Sequence, residues 1–145
     1  MDYKELMCGD LVKVEQTTEV VNAKVLGVYK DGINYEVDYS GVRATNQIHT
    51  DYVSPIKLTE DILVKNGFEH TYNEVSKMQN KQLLVANIGG HYIEVRLDKK
   101  NVAIWYDYDE NESGFYSDVF LPLPYFVHGF QHLLRLCGIE KEIEL

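Results

Sequence analysis

Cysteine, proline and long apolar runs are scarce in this chain of 145 residues, which has two cysteines and three prolines. Cys8 and Cys137 lie in apolar surroundings without a CxxC spacing, so we predict two reduced, buried thiols and no disulfide. No apolar run approaches the roughly 18 residues that a membrane span requires, and the N-terminus lacks the basic and apolar regions of a signal peptide. We therefore expect a cytoplasmic protein that does not enter a membrane.

Positive charge is also scarce, because 14 Lys and Arg residues stand against 23 Asp and Glu residues and give a formal net charge of -9. This balance repels phosphate backbones, and no basic patch is evident, so we do not expect direct binding of nucleic acid. Two kinds of partner fit such a chain. One is a protein partner or a second copy of the chain. The other is a nucleic-acid-binding protein, which an acidic decoy would occupy by mimicking phosphates.

Recognisable catalytic motifs are missing. The sequence contains no GxSxG, no phosphate-binding glycine loop and no dinucleotide fingerprint. Its five histidines are scattered over positions 49, 70, 91, 128 and 132. We therefore predict no catalytic residue and no cofactor. An enzyme of unknown class remains an alternative, because a fold can bring distant side chains together.

The clearest element of the sequence is a helix near the C-terminus, from about Pro124 to Gly138. Proline is tolerated in a helix's first turn, and Gly138 supplies the left-handed residue that ends a helix. One face gathers the apolar residues expected to pack on a core, namely Phe126, Val127, Phe130, Leu133, Leu134 and Cys137.

The opposite face of this helix carries Tyr125, His128, His132 and Leu136, and three interpretations compete for it. His128 and His132 are spaced i, i+4 and could share a metal ion, but Gly129 stands where a zinc protease HExxH has its glutamate. The four residues could instead form a contact with a partner or a second copy, and we name them as the candidate partner-binding site. Packing against the chain's own loops is the interpretation that we favour.

The sequence pattern of residues 1–57 predicts a lobe of short strands. Apolar and polar residues alternate from Ile33 to Tyr39, and Asp31-Gly32 and Ser40-Gly41 fit the two-residue turns of hairpins. Five strands in this order, opened by the phrase GDLVKV, suggest a small SH3-like β-barrel. Four tyrosines of this lobe could line a peptide groove, although we favour a role in core and cross-strand packing: they are Tyr29, Tyr35, Tyr39 and Tyr52.

The sequence pattern of residues 58–145 predicts a second lobe. A short joint helix begins after the N-cap Thr59 and ends at Gly67, and a meander of antiparallel strands follows from about Leu83 to Leu121. The C-terminal helix would cover one face of this meander, and residues 142–145 would add a last strand. The fold class is therefore α+β, either as two lobes or as one compact unit.

One acidic segment, DYDENESGFYSD, invites a comparison with calcium-binding loops. Asp107, Asp109, Asn111 and Asp118 occupy positions 1, 3, 5 and 12 of such a loop. However, Glu112 replaces the glycine required at position 6, and the flanking segments are predicted strands, not helices. We interpret the segment as a solvated hairpin tip, and keep its four oxygen donors as weak metal candidates beside His128 and His132.

Three segments carry a resemblance that covers nearly the whole chain: Leu6 to Val14, Pro55 to Phe68 (PIKLTEDILVKNGF) and Tyr125 to Leu133. With them the sequence resembles a family of uncharacterised small proteins from Bacteroides-type gut bacteria. Phe126 is an insertion in the family's pattern, and Phe130 stands where the family has leucine. The resemblance implies a bacterial cytosolic protein of the kind carried on phage or conjugative elements, and it brings no known activity. Our leading prediction is a non-catalytic protein-interaction module.

Overall fold

A computed structural model describes residues 3–73, 78–106 and 120–145. These residues form two five-stranded antiparallel sheets, two α-helices and short 3-10 turns, which confirms the α+β class. None of the helices described is long and apolar enough to cross a membrane. Both cysteines are free, but Cys8 is exposed and Cys137 is half-buried, so the predicted burial of both thiols is wrong.

The front sheet has five strands in the order β4-β3-β2-β1-β5. Their bounds are β1 (Leu11–Glu15), β2 (Val20–Tyr29), β3 (Gly32–Tyr39), β4 (Val42–His49) and β5 (Val53–Pro55), with a 3-10 turn at Thr50–Tyr52 before β5. The predicted alternation along β3 is observed, because Ile33, Tyr35 and Val37 are buried. The sheet is not closed into a barrel among the described residues, so the SH3-like barrel stays a prediction.

The β2–β3 turn lies one residue earlier than predicted, at positions 30 and 31. Gly32 belongs to β3, where it pairs with Tyr29 on one side and with His49 on the other. A Cβ on Gly32 would lie 2.7 Å from the carbonyl oxygen of Ile48, a distance that no side chain tolerates. The glycine is therefore needed for close approach of β4 and not for turn geometry.

The back sheet has the order β10-β9-β8-β7-β6. Its strands are β6 (Glu69–Asn73), β7 (Met78–Ile88), β8 (His91–Arg96), β9 (Asn101–Tyr106) and β10 (Phe120–Pro122). The predicted turn at Gly89-Gly90 is present, with both residues at positive φ. The segment from 139 to 145 forms no strand, contrary to the expectation for 142–145, because the side chain of Asn66 and not a sheet edge binds the backbone of Glu144.

The two helices are α1 (Glu60–Lys65) and α2 (Val127–Leu136). Thr59 caps α1 as predicted, since its hydroxyl accepts the N–H of Ile62. Helix α2 begins three residues later than predicted, because the carbonyl of Tyr125 accepts the N–H of Leu58 and Phe126 forms a β-bridge with Lys57. Of the predicted apolar face, Val127, Phe130 and Leu134 are buried, whereas Phe126 is exposed.

The chain divides into two compact units. The front unit comprises Met1–Leu58 and Tyr125–His132, and the back unit comprises Thr59–Pro124 and Leu133–Leu145. Helix α2 thus contributes its first six residues to the front unit and its last four to the back unit. The predicted boundary near residue 57 and the predicted covering of the meander by the helix stay predictions.

Candidate functional site

A buried carboxylate, that of Asp10, lies at the start of the front sheet. The residue is fully buried, and one of its oxygens accepts the N–H of Met7 at 2.8 Å. Nε2 of His132, on helix α2, lies 2.9 Å from both carboxylate oxygens. A buried carboxylate is stable only where hydrogen bonds replace its water, and these contacts supply them.

A second link between the same two segments comes from Gln131, which is also buried. Its side-chain oxygen accepts the N–H of Leu11 at 3.0 Å, and its side-chain nitrogen donates to the carbonyl of Gly9 at 3.1 Å. The amide thus pairs with the backbone on either side of Asp10, much as a neighbouring strand would. We call Asp10, Gln131 and His132 the helix clamp, because together they fix the first half of α2 on the segment that leads into β1.

His128 lies beside the clamp and is only 6% exposed. Its ring stacks on Phe126 with centroids 5.7 Å apart and meets His132 edge-on at 5.9 Å. Burial lowers its pKa, an effect that nearby Asp10 opposes, His132 reinforces and Glu5 opposes. The lowered pKa keeps the ring of His128 neutral at pH 7, where it lies between Phe126 and His132.

The four residues proposed as a partner-binding face have different environments. Tyr125 is 62% exposed and Leu136 is 86% exposed, whereas His128 is buried and His132 is bound to Asp10. A partner contact through all four stays a prediction, and the structure shows the two histidines packed within the front unit. His132 packs against Asp10, and His128 packs against Phe126 and His132. No local pattern around Asp10 indicates this contact.

The metal candidates that the structure describes, His128 and His132, do not form a metal site with a third ligand. Among the residues that the structure describes, no group of three or more His, Cys, Asp or Glu side chains is placed to hold a metal ion. His128 and His132 do approach each other, but Nε2 of His132 is engaged with the carboxylate of Asp10. Asp107, Asp109, Asn111 and Asp118 lie outside the described residues, so the calcium-loop comparison stays untested.

A cavity of about 610 Å³ opens on the front unit, and we call it the tyrosine cavity. It is lined by Tyr35, Tyr52, residues 15–18 of the β1–β2 connection and residues 46–48 of β4. The side-chain amide of Gln16 contacts two tyrosine hydroxyls, donating to Tyr35 and accepting from Tyr39, each at 3.3 Å. Two of the four tyrosines noted in the sequence therefore line one cavity.

A second cavity, of about 450 Å³, lies at the β2–β3 turn. This turn cavity is lined by residues 29–32 and by residues 47–49 of β4. Gln47 and Ile48 thus line both cavities. Sequence reasoning did not identify β4 as a cavity-lining strand, although its run of mostly polar residues, VRATNQIH, is the composition expected of an exposed edge strand.

Comparison with known proteins gives no relative from which a function could be transferred, since no protein-family model, no curated protein and no solved structure matches the chain.

Proposed function

We propose that this protein is a non-catalytic binding module, and that the tyrosine cavity of the front unit holds a segment of a protein partner. The single observation that carries this proposal is the cavity itself: about 610 Å³, lined by two tyrosines, two threonines and three side-chain amides. Aromatic rings with a few polar groups are the usual lining of a recognition site. Tyr52 is 54% exposed there, so its ring is accessible to a partner.

The order of the strands supports an SH3-like description of this unit. Five consecutive antiparallel strands carry a 3-10 turn between the fourth and fifth, and that turn supplies Tyr52 to the cavity. We propose this architecture as an analogy of fold, which by itself assigns no function. The relation to the Bacteroides-type family, a cytoplasmic location and a mobile-element setting are proposed on the sequence resemblance alone.

The proposal is tested by selecting random twelve-residue peptides, displayed on phage, against the full-length chain. We expect enriched peptides that lose about tenfold in affinity on Tyr52→Ala, as truncation of an aromatic anchor commonly costs. Tyr125→Ala is the matched control, because Tyr125 is also an exposed tyrosine but does not line the cavity.

Two results would contradict the proposal. One is a selection that enriches no peptide. The other is a set of peptides that bind Tyr52→Ala as tightly as the unmodified chain. If Tyr125→Ala alone abolishes binding, the start of α2 is the binding surface, which would favour the partner-binding face predicted from sequence.

A further inference from the structure

Resting on the proposed function, we propose that the partner binds by strand addition. In this arrangement an extended segment pairs with the open edge of β4, and a lysine or arginine of that segment enters the tyrosine cavity.

Strand β4 lies at the edge of the front sheet, with one side open to a further strand. Among the described residues β4 pairs with β3 alone. The N–H of Thr50 donates to the carbonyl of Asp31, and the register places these residues opposite each other. Because hydrogen-bonded pairs alternate in an antiparallel ladder, residues 48, 46 and 44 bond to β3, while the backbone groups of Thr45 and Gln47 point away from it.

Two cavities adjoin this edge, and they share the lining residues Gln47 and Ile48. Side chains alternate along a strand, so Asn46 and Ile48 lie on the face of buried Tyr35, and Gln47 and His49 lie on the other face. The tyrosine cavity is lined by Asn46 and Ile48 together with Gln47, and the turn cavity by Gln47 and His49 together with Ile48, so the two cavities adjoin along β4. A strand added to β4, about 4.8 Å from it, would present successive side chains to the two cavities in turn.

The outward N–H of Gln47 is capped by a side chain of the protein itself. The side-chain oxygen of Asn46 accepts this N–H at 2.8 Å. An uncapped, exposed N–H would bond water, but here an amide oxygen occupies the position that a partner's carbonyl would take. Asn46 also lines the tyrosine cavity, so a segment that enters the cavity would be placed to displace this cap.

The charge of the tyrosine cavity indicates which partner side chain it would hold. Of the described residues that line the tyrosine cavity, Glu15 is the one that carries a formal charge, and the chain has a net charge of -9. An acidic, tyrosine-lined cavity favours a cation through both its charge and the faces of its rings. The turn cavity holds Lys30 and Asp31, whose charges offset each other, and it suits a neutral side chain.

The test uses twenty synthetic heptapeptides of sequence SVTXTVS, where X is each natural amino acid, titrated into the full-length chain and followed by amide NMR shifts. We expect the lysine and arginine peptides to bind most tightly, with the largest shifts at Thr45 and Gln47. Methylating alternate backbone amides of the lysine peptide in two complementary patterns should abolish binding in one pattern only, because only alternate amides face β4.

Variants of the protein separate strand addition from simple occupation of the cavity. Gln47→Pro removes an N–H that β3 does not use, so it should keep the fold and lower affinity about tenfold or more, whereas Gln47→Thr keeps the N–H and serves as the control. Asn46→Ala removes the competing cap and should raise affinity. Glu15→Gln should weaken the lysine peptide about threefold and leave a glutamine peptide unchanged.

The outcomes distinguish the two proposals. If phage-selected peptides depend on Tyr52 but ignore Gln47→Pro, the binding function stands and strand addition is wrong. If such peptides exist and none of the twenty heptapeptides binds, strand addition is likewise overturned. If selection yields no peptide and the chain forms a dimer that Gln47→Pro dissociates, the edge pairs with a second copy and both proposals fail as stated.

Discussion

Asp10 is a fully buried acid whose carboxylate is satisfied from two sides, by the N–H of Met7 and by the ring of His132. Such a group stabilises a fold only while its partners remain, since a buried polar atom that loses its hydrogen bonds keeps the whole cost of its desolvation. Gln131 has a different role, because its amide satisfies backbone groups of Gly9 and Leu11 that would otherwise lack these bonds.

Replacing Asp10 with alanine should therefore lower the free energy of unfolding by about 2–4 kcal/mol, through loss of charge-assisted hydrogen bonds and the orphaning of the Met7 N–H. Urea denaturation followed by tryptophan fluorescence and circular dichroism measures this. Glu19→Ala, at an exposed acid of the same unit, should change stability by about 0.5 kcal/mol or less. Equal effects of the two substitutions would show that the clamp contributes nothing.

His128 gives the protein a pH-dependent stability of defined sign. Its pKa in the folded chain lies below the ordinary histidine value of 6.5, chiefly because burial disfavours the charged ring. As the pH falls through 6.5, the unfolded chain takes up this proton before the folded chain does, so stability from this residue is present above that pH and is lost below it. Phe126 and His132, which flank the ring, leave its position apolar on one side and polar on the other.

The test compares urea midpoints at pH 7.5 and 5.5 for the unmodified chain and for His128→Phe, which keeps a flat ring but cannot be protonated. We expect the unmodified chain to lose more stability between these pH values than the variant does. An identical loss in both proteins would mean that protonation of His128 is not coupled to folding.

At the scale of elements, close approach of β3 and β4 depends on Gly32. A Cβ there would lie 2.7 Å from the carbonyl oxygen of Ile48, whereas a Cβ on Gly27 would have its nearest neighbour at 3.7 Å. Gly32→Ala should therefore destabilise the protein by about 1–3 kcal/mol by pushing β4 away, and Gly27→Ala is the matched control. Thermal unfolding checks both, and a Gly32→Ala variant as stable as Gly27→Ala would show that β4 yields without cost.

The backbone of the segment after α2 is bound by Asn66, a buried side chain of the back unit. Asn66 is 3% exposed, donates to the carbonyls of Ile62 and Glu144 and accepts the N–H of Glu144. Asn66→Ala should lower stability by about 1–3 kcal/mol and speed amide exchange over residues 139–145. Lys65→Ala removes only an exposed contact to the carbonyl of Leu145 and should leave exchange at Glu144 nearly unchanged. Equal exchange in both variants would contradict the assignment.

Local signals predicted much of this architecture because they act over a few residues. Alternation located β3, the Ser40-Gly41 turn was correct, and Thr59 caps α1 as expected. The C-cap is Asn66 and not Gly67, which follows it at positive φ. The position of Gly32 and the late start of α2 were not predictable, since each depends on a strand distant in sequence. The helix clamp could not be predicted for the same reason. Asp10 and His132 are separated by 122 residues, and no local sequence pattern around either residue indicates the contact.

At the scale of the whole molecule, composition constrains the partner more than the fold does. An excess of nine negative charges acts over a Debye length of about 8–10 Å at physiological ionic strength, so it biases the encounter with any charged segment. Of the candidate sites, the tyrosine cavity was only partly predictable: four tyrosines were noted, but which of them meet at β4 depends on sheet order.

This charge predicts how salt affects binding. Raising sodium chloride from 50 to 500 mM should weaken the lysine heptapeptide about three- to tenfold, because screening removes most of the long-range attraction. The glutamine heptapeptide gains its affinity from backbone pairing, which salt hardly alters, and should change less than about twofold. Isothermal titration of both peptides at each salt concentration gives the comparison. If salt lowers the affinity of both peptides equally, the lysine side chain gains nothing from the negative charge of the protein. The assignment of a cation to the tyrosine cavity is then wrong, even if strand pairing persists.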